Sequence, residues 1–267
     1  SSNVEGVYYK LDHCSFAHNY VGVYSGTDSL LVSECRFDSM EYTALSHSSR
    51  SLADSHYVMV DKSTFRSNAN GLYLLSEGSG VIQNSTFLAN NTSISLYGPF
   101  ASKQRKISYF LYNNTLSEGE FGYGDVYISQ MASVTMHGNI LNVNEMRRYM
   151  ENSDAPNAAF VSDYNVYIVN PQTLVDDWHM GEHDVLLPAS ALGGVLDGSY
   201  DEEKQYFVST LSDNGGFGKN IALLNVALPG DKSVKMIPEG TTPVTDDQRF
   251  VPRDKVYCAG AYEVDCS

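Results

Sequence analysis

A six-residue pattern recurs through the first half of the chain, and its uneven spacing narrows the possible folds more than any other feature. It runs apolar, polar, polar, small, polar, large apolar. The copies are Leu11-Asp12-His13-Cys14-Ser15-Phe16, Val32-Ser33-Glu34-Cys35-Arg36-Phe37, Val60-Asp61-Lys62-Ser63-Thr64-Phe65 and Ile82-Gln83-Asn84-Ser85-Thr86-Phe87. Two weaker copies end at Leu116 and Leu141. Successive closing residues lie 21, 28, 22, 29 and 25 positions apart. Helical repeats hold their period, because each unit must pack whole against the next. Here short β-branched and aromatic segments alternate with Gly, Asn and Ser, which reads as strands joined by turns.

Strands that repeat while their loops vary in length predict an all-β, parallel β-helix. Each coil adds a rung, and insertions leave at the corners. Equivalent side chains then stack about 4.8 Å apart. Phe16, Phe37, Phe65, Phe87, Leu116 and Leu141 form one interior column. Cys14, Cys35, Ser63, Ser85, Asn114 and Asn139 form a second, where stacked amides can bond along the axis. Ser15, Arg36, Thr64 and Thr86 point outward. Asn follows Phe by three at Asn19, Asn68 and Asn90, which suggests left-handed corners. Six or seven rungs are expected over residues 3–170. Residues 171–267 supply the last coils, an insertion and an irregular C-terminal cap, continuous with the same solenoid.

A further strand follows in most coils, at Gly22-Val23-Tyr24, Gly71-Leu72-Tyr73, Ser95-Leu96-Tyr97 and Asp125-Val126-Tyr127. Alternation places Val23, Leu72, Leu96 and Val126 inside and Tyr24, Tyr73, Tyr97 and Tyr127 outside. Such a stripe can hold sugar rings by their apolar faces while the hydroxyls bond sugar OH groups. The same stripe can also serve packing alone. With 32 acidic against 17 basic residues, a net charge of -15 argues against nucleic acid or anionic membrane as a partner. No apolar run is long enough for a membrane helix.

The Phe-x-x-Asn corners resemble the repeats of chlamydial polymorphic outer-membrane proteins and of bacterial right-handed β-helix surface proteins. Ser162-Asp163-Tyr164-Asn165-Val166-Tyr167, Asp213-Asn214-Gly215-Gly216, and Asp246-Asp247-Gln248-Arg249-Phe250-Val251-Pro252-Arg253 with Cys258-Ala259-Gly260-Ala261-Tyr262-Glu263 are similar to motifs of proteins with a choice-of-anchor Q region. Phe250 stands where that pattern has Gly, so a different or looser turn is expected there. The resemblance implies a right-handed, pectin-lyase-like parallel β-helix that is secreted or surface-displayed by a bacterium. It implies no single activity, because this fold hosts enzymes, adhesins and inert stalks.

Other motifs offer chemistry. His179 and His183, with Glu182, Asp184, Asp176 and Asp177, carry metal-ligating groups. Pro171, Gly181 and Pro188 make a polar loop the plainer reading, and no metal site is assigned. Asp12 and Asp61 share a column with Ser33 between them, within reach of glycoside chemistry. The basic run Lys103-Gln104-Arg105-Lys106 could serve a lyase, or simply be a solvated loop. No catalytic constellation is assigned, and no cofactor is expected unless Ca²⁺ bridges an acidic glycan. Cys14 and Cys35 can stack as thiols or pair, and Cys258 and Cys266 can staple the C-terminal strand. Asp247, Gln248, Arg249 and Arg253 suggest a buried clamp holding the cap onto the last rung. The sequon asparagines Asn84, Asn90, Asn91 and Asn113 read as corner and ladder residues.

The leading expectation is a non-enzymatic, adhesin-like binder of extracellular polysaccharide or host surface glycan through Tyr24, Tyr73, Tyr97 and Tyr127, with further rungs preceding Ser1. A polysaccharide lyase or glycoside hydrolase is the alternative. A passive stalk of a larger surface protein is the third.

Overall fold

The structure, a computed structural model, describes residues 8–48, 57–75, 78–98, 107–118, 125–129, 132–149, 159–168 and 179–264. Three parallel sheets form a β-solenoid. Sheet A has seven strands, sheet B eight and sheet C six. One coil runs Tyr57–Asp61 in sheet A, Thr64–Arg66 in sheet B and Asn70–Leu75 in sheet C. Each strand pairs with its equivalents in the coils before and after, as Val58 does with Leu30 and Gly80. Apart from a 3-10 turn at Ala189–Leu192, the described residues contain no helix.

Alternation sets what lies inside. In that coil Val58, Val60, Phe65, Leu72 and Leu74 are fully buried. The Phe column is continuous. Phe16, Phe37, Phe65 and Phe87 stack with centroids 5.0, 4.8 and 4.7 Å apart and planes within 8°. Leu116, Leu141, Tyr167 and Leu186 continue it in register. Each buried ring contributes roughly 2–3 kcal/mol by area. Across from the rings, Gly22 and Gly71 keep the wall thin. A Cβ there would meet the carbonyl oxygens of Ala44 and Ser93 at 2.5 and 2.6 Å.

The second predicted column is a hydrogen-bonded ladder. The N–H of Cys35 donates to Ser63 Oγ (3.1 Å), that of Ser63 to Ser85 Oγ (3.1 Å) and that of Ser85 to Asn114 Oδ1 (3.1 Å). Asn114 N–H then donates to Asn139 Oδ1 (3.0 Å), and Asn139 N–H to Asn165 Oδ1 (2.9 Å). The last rung, Asn165 N–H, ends on Asp184 Oδ1 at 2.7 Å. Each amide of this column from Cys35 to Asn165 is thereby satisfied by the next coil.

The corners differ from expectation in one respect. Left-handed backbone falls on the second residue after Phe, at His18, Ser39, Ser67 and Ala89. The asparagine that follows bonds across rungs instead. Asn68 Nδ2 donates to Phe37 O (3.2 Å) and Asn90 Nδ2 to Phe65 O (3.0 Å). A second left-handed column runs through His13, Glu34, Lys62, Asn84, Asn113, Gly138 and Tyr164. The Tyr164 N–H donates to Asp163 Oδ1 at 3.1 Å, while from His13 to Gly138 each N–H is held by a carbonyl of the next coil, as for Lys62 and Gln83. That bond keeps side chains other than Gly and Asn in a costly conformation.

The C-terminal part does more than cover the last coil. It runs back along the outer face of sheet B. Thr64 Oγ1 donates to Lys219 O (2.7 Å), Thr86 Oγ1 to Gln248 Oε1 (2.6 Å), and Ala261 N–H donates to Thr115 Oγ1 (2.9 Å). Phe217 reaches the first coil, edge-on to His13. Thr64 and Thr86 face out of the solenoid as expected, yet this layer buries them. A second apolar core, including Val166, Phe207, Leu223 and Tyr257, fills the seam.

Candidate functional site

On the outward face of sheet C the register is Tyr24, Ser46, Tyr73, Ser95, Tyr127, Arg147. Three of the four predicted tyrosines therefore share one column, one every second coil, with small buried serines between them. Two rungs span about 9.6 Å. Tyr97 lies outside this column. It pairs with Leu75, because Ile94, not Leu96, aligns with Leu72. The register toward that coil is unbroken from Thr92 to Tyr97, and the irregularity of this strand, between Thr92 and Ile94, lies on its other side, toward Asp125 and Val126. Tyr97 still meets Tyr73, with centroids 4.7 Å apart and planes 35° from parallel. Tyr24 is 72% exposed, and Tyr20 and Tyr42 stack nearby at 5.3 Å.

The stripe ends in a polar group that motif reading missed. Tyr127 Oη donates to Asp125 Oδ2 (3.2 Å) or to Glu145 Oε2 (3.3 Å). Arg147 pairs with Glu145, and Glu145 N–H donates to Asp125 Oδ1 at 3.0 Å. Burial, then the two carboxylates, push the Tyr127 hydroxyl up to about 12. Burial first, and Asp125 second, raise Glu118 to about 7. Asp125 is also raised, chiefly by burial. These acids come from two coils, so no local spacing marks them.

The other candidates resolve into structure. Asp184 ends the ladder: its carboxylate accepts the N–H groups of Asn165 and Gly181 and bonds Ser162 Oγ. His183 Nδ1 lies 3.1 Å from Asp163 and its ring stacks on Tyr164 at 4.5 Å, while His179 is exposed. Asp176 and Asp177 lie outside the described residues, as do the basic run 103–106 and Cys266. Asp12 and Asp61 are separated by Ser33 as read. Lys62, however, binds Asp61 at 3.4 Å and Asp246 at 2.9 Å, so that acid is already paired. Among the described residues the group able to converge on a metal is Asp12, His13 and Glu34, all of it at the solvent-exposed first corner except Glu34, which is partly covered.

Cys14 and Cys35 are free thiols, donating to the carbonyls of Asp12 (3.4 Å) and Ser33 (3.2 Å). The arginine clamp is present, but it fixes the tail to the side of the solenoid. Buried Asp247 binds Arg249, and buried Arg253 binds Glu263 (3.0 Å), Gly260 O and Asn84 Oδ1 (3.1 Å). Phe250 keeps the left-handed turn at φ +69°, its ring 4.7 Å from Lys62 Nζ, so no looser turn forms. Asn84, Asn90 and Asn113 are buried, whereas Asn91 is exposed.

The family described as right handed beta helix region matches residues 3–170, and the chain belongs to that family. No curated protein and no solved structure matches it.

Proposed function

We propose that this right-handed β-helix protein is a secreted or cell-surface, adhesin-like binder of extracellular polysaccharide or host surface glycan, and that the glycan lies across the outward face of sheet C. One observation carries this reading: Tyr24, Tyr73 and Tyr127 stand in one outward column at two-rung intervals. Two rungs are close to a disaccharide unit of an extended glycan. Tyr97 widens the platform at Tyr73. Asp125 and Glu145 offer acceptors for sugar hydroxyls, which favours a neutral chain over an acidic one on this face. The mechanism is multi-point contact and needs no cofactor.

We place the chain beside bacterial surface proteins with a choice-of-anchor Q region. Support comes from the closing motif, whose Asp247, Arg249, Arg253 and Glu263 form one connected buried network. A second reading, a glycoside hydrolase, draws on Glu118, whose carboxyl is raised to about 7 by burial and then by Asp125.

The experiment is co-sedimentation with insoluble neutral polysaccharides, with release of new reducing ends followed in parallel. Binding without cleavage, weakened about tenfold by Tyr73→Ala, is expected. Cleavage abolished by Glu118→Gln would replace the binding reading by the hydrolase. Neither binding nor cleavage across the panel would leave the stalk.

A further inference from the structure

On sheet B, away from the tyrosine stripe, a cleft opens where the C-terminal layer lifts off the second and third coils. Arg36, Phe37, Asp38, Thr64, Arg66, Leu211 and Lys219 line it. Three cations thus face one carboxylate, in a chain where acids outnumber bases 32 to 17.

Two of the three cations are uncommitted. Arg66 reaches Asp38 only at 3.5 Å, with half of its side chain open to solvent. Arg36 and Lys219 make no side-chain hydrogen bond or ion pair with another described residue. The tail runs close to them. Gly218 packs so closely that a Cβ there would lie 2.5 Å from Thr64 Oγ1 and 3.5 Å from Arg36 Cγ. The tail therefore passes close beside Thr64 and leaves no room there for a larger residue than glycine. Thr64 Oγ1 donates to the backbone carbonyl of Lys219, which sets that residue at the rim. Arg36 also breaks a column. Its neighbours along sheet B are Ser15 on one side and, on the other, Thr64, Thr86 and Thr115, each of the threonines spent on holding the tail. A threonine at 36 would continue that pattern, whereas arginine supplies a planar fork suited to a carboxylate.

We propose that this cleft binds the carboxylate of an acidic sugar residue. Charge complementarity selects an anion, and a cluster of only three cations within a field of -15 favours one acidic unit over a dense polyanion. A sugar acid fits better than a peptide. The cleft lies on the outward face of sheet B, whose in-plane backbone groups are engaged by neighbouring coils, so an extended peptide has no strand edge to join. This site is independent of the sheet C reading.

The test is ligand-observed NMR titration of the full chain with glucuronate, glucose and the dipeptide acetyl-Asp-Gly-amide. The expected result is saturable binding of glucuronate at millimolar levels, with glucose and the dipeptide at least tenfold weaker. Arg36→Gln and Lys219→Gln should each weaken glucuronate at least threefold, and 0.5 M salt should do the same. Lys255→Gln, an exposed residue of the tail that does not line the cleft, should change nothing. Three results would overturn the proposal: no saturable glucuronate binding, glucose binding equally well, or indifference to both cleft substitutions. Tighter binding of the dipeptide would reassign the cleft to peptides.

Discussion

Replacing Asn139 by Ala should unpick the corner ladder. Asn139 is fully buried. Its Oδ1 accepts from Asn114 N–H and Asn114 Nδ2, both at 3.0 Å. Its Nδ2 donates to Leu111 O (2.9 Å) and Asn165 Oδ1 (2.8 Å). Alanine leaves the Asn114 N–H without an acceptor, deep in the wall, and removes a donor from Leu111 O. Each orphaned buried group costs roughly 1–3 kcal/mol, so a loss of about 3–4 kcal/mol is expected. Asn139→Ser separates the ladder bond from simple loss of volume. Ser63 and Ser85 show that a serine here still accepts the preceding N–H. Serine should therefore cost less than half as much as alanine, although it is also small. Urea unfolding gives the totals, and hydrogen exchange at the Asn114 amide gives the local effect. Coils of a solenoid can open separately, so the two measurements need not agree in size. Equal destabilisation by Ala and Ser, or less than about 1 kcal/mol for Ala, would refute the reasoning.

Two further outcomes follow from the charged and sulfur groups. Glu118, raised from 4.5 to about 7, binds more protons folded than unfolded across that window. Its contribution is thus complete below about 4.5 and is lost as pH rises through 7. Partial solvent access reduces the effect to roughly 1–2 kcal/mol. Glu118→Gln should be that much more stable than the parent at pH 8 and equal to it at pH 4.5; parallel pH–stability curves would contradict this. Burial holds the Cys35 thiol up at about 11. At pH 8 iodoacetamide should label the partly exposed Cys14 first and Cys35 only on unfolding, as peptide mass spectrometry would show; equal rates, or a Cys14–Cys35 bond, would contradict the structure.

The solenoid is legible in the sequence because its interior is written in large, repeated side chains. Phe16, Phe37, Phe65 and Phe87 mark the rungs, and the Cys/Ser/Asn column marks the corner. The sheet C strand of the fourth coil is ambiguous. In Ser93-Ile94-Ser95-Leu96-Tyr97 either apolar residue can take the inward place of Leu72, and both point inward by parity. The structure chooses Ile94, which displaces Tyr97 from the column. The tail is illegible for another reason. Gln248 meets Thr64 and Thr86 across more than 160 positions, and nothing periodic announces such contacts. The acids beside Tyr127 and the cations of the sheet B cleft come from separate coils and from the tail, so only the fold brings them together.

The central claim is that a glycan lies along the tyrosine column. A length series of neutral oligosaccharides, measured by calorimetry against the parent and against Tyr24→Ala, Tyr73→Ala and Tyr127→Ala, tests it directly. Tyr24 and Tyr127 are four rungs apart, about 19 Å. Affinity should climb until the oligosaccharide spans that distance and then level off, and each substitution should lower the plateau about tenfold. Affinity that ignores chain length and all three substitutions would contradict the account.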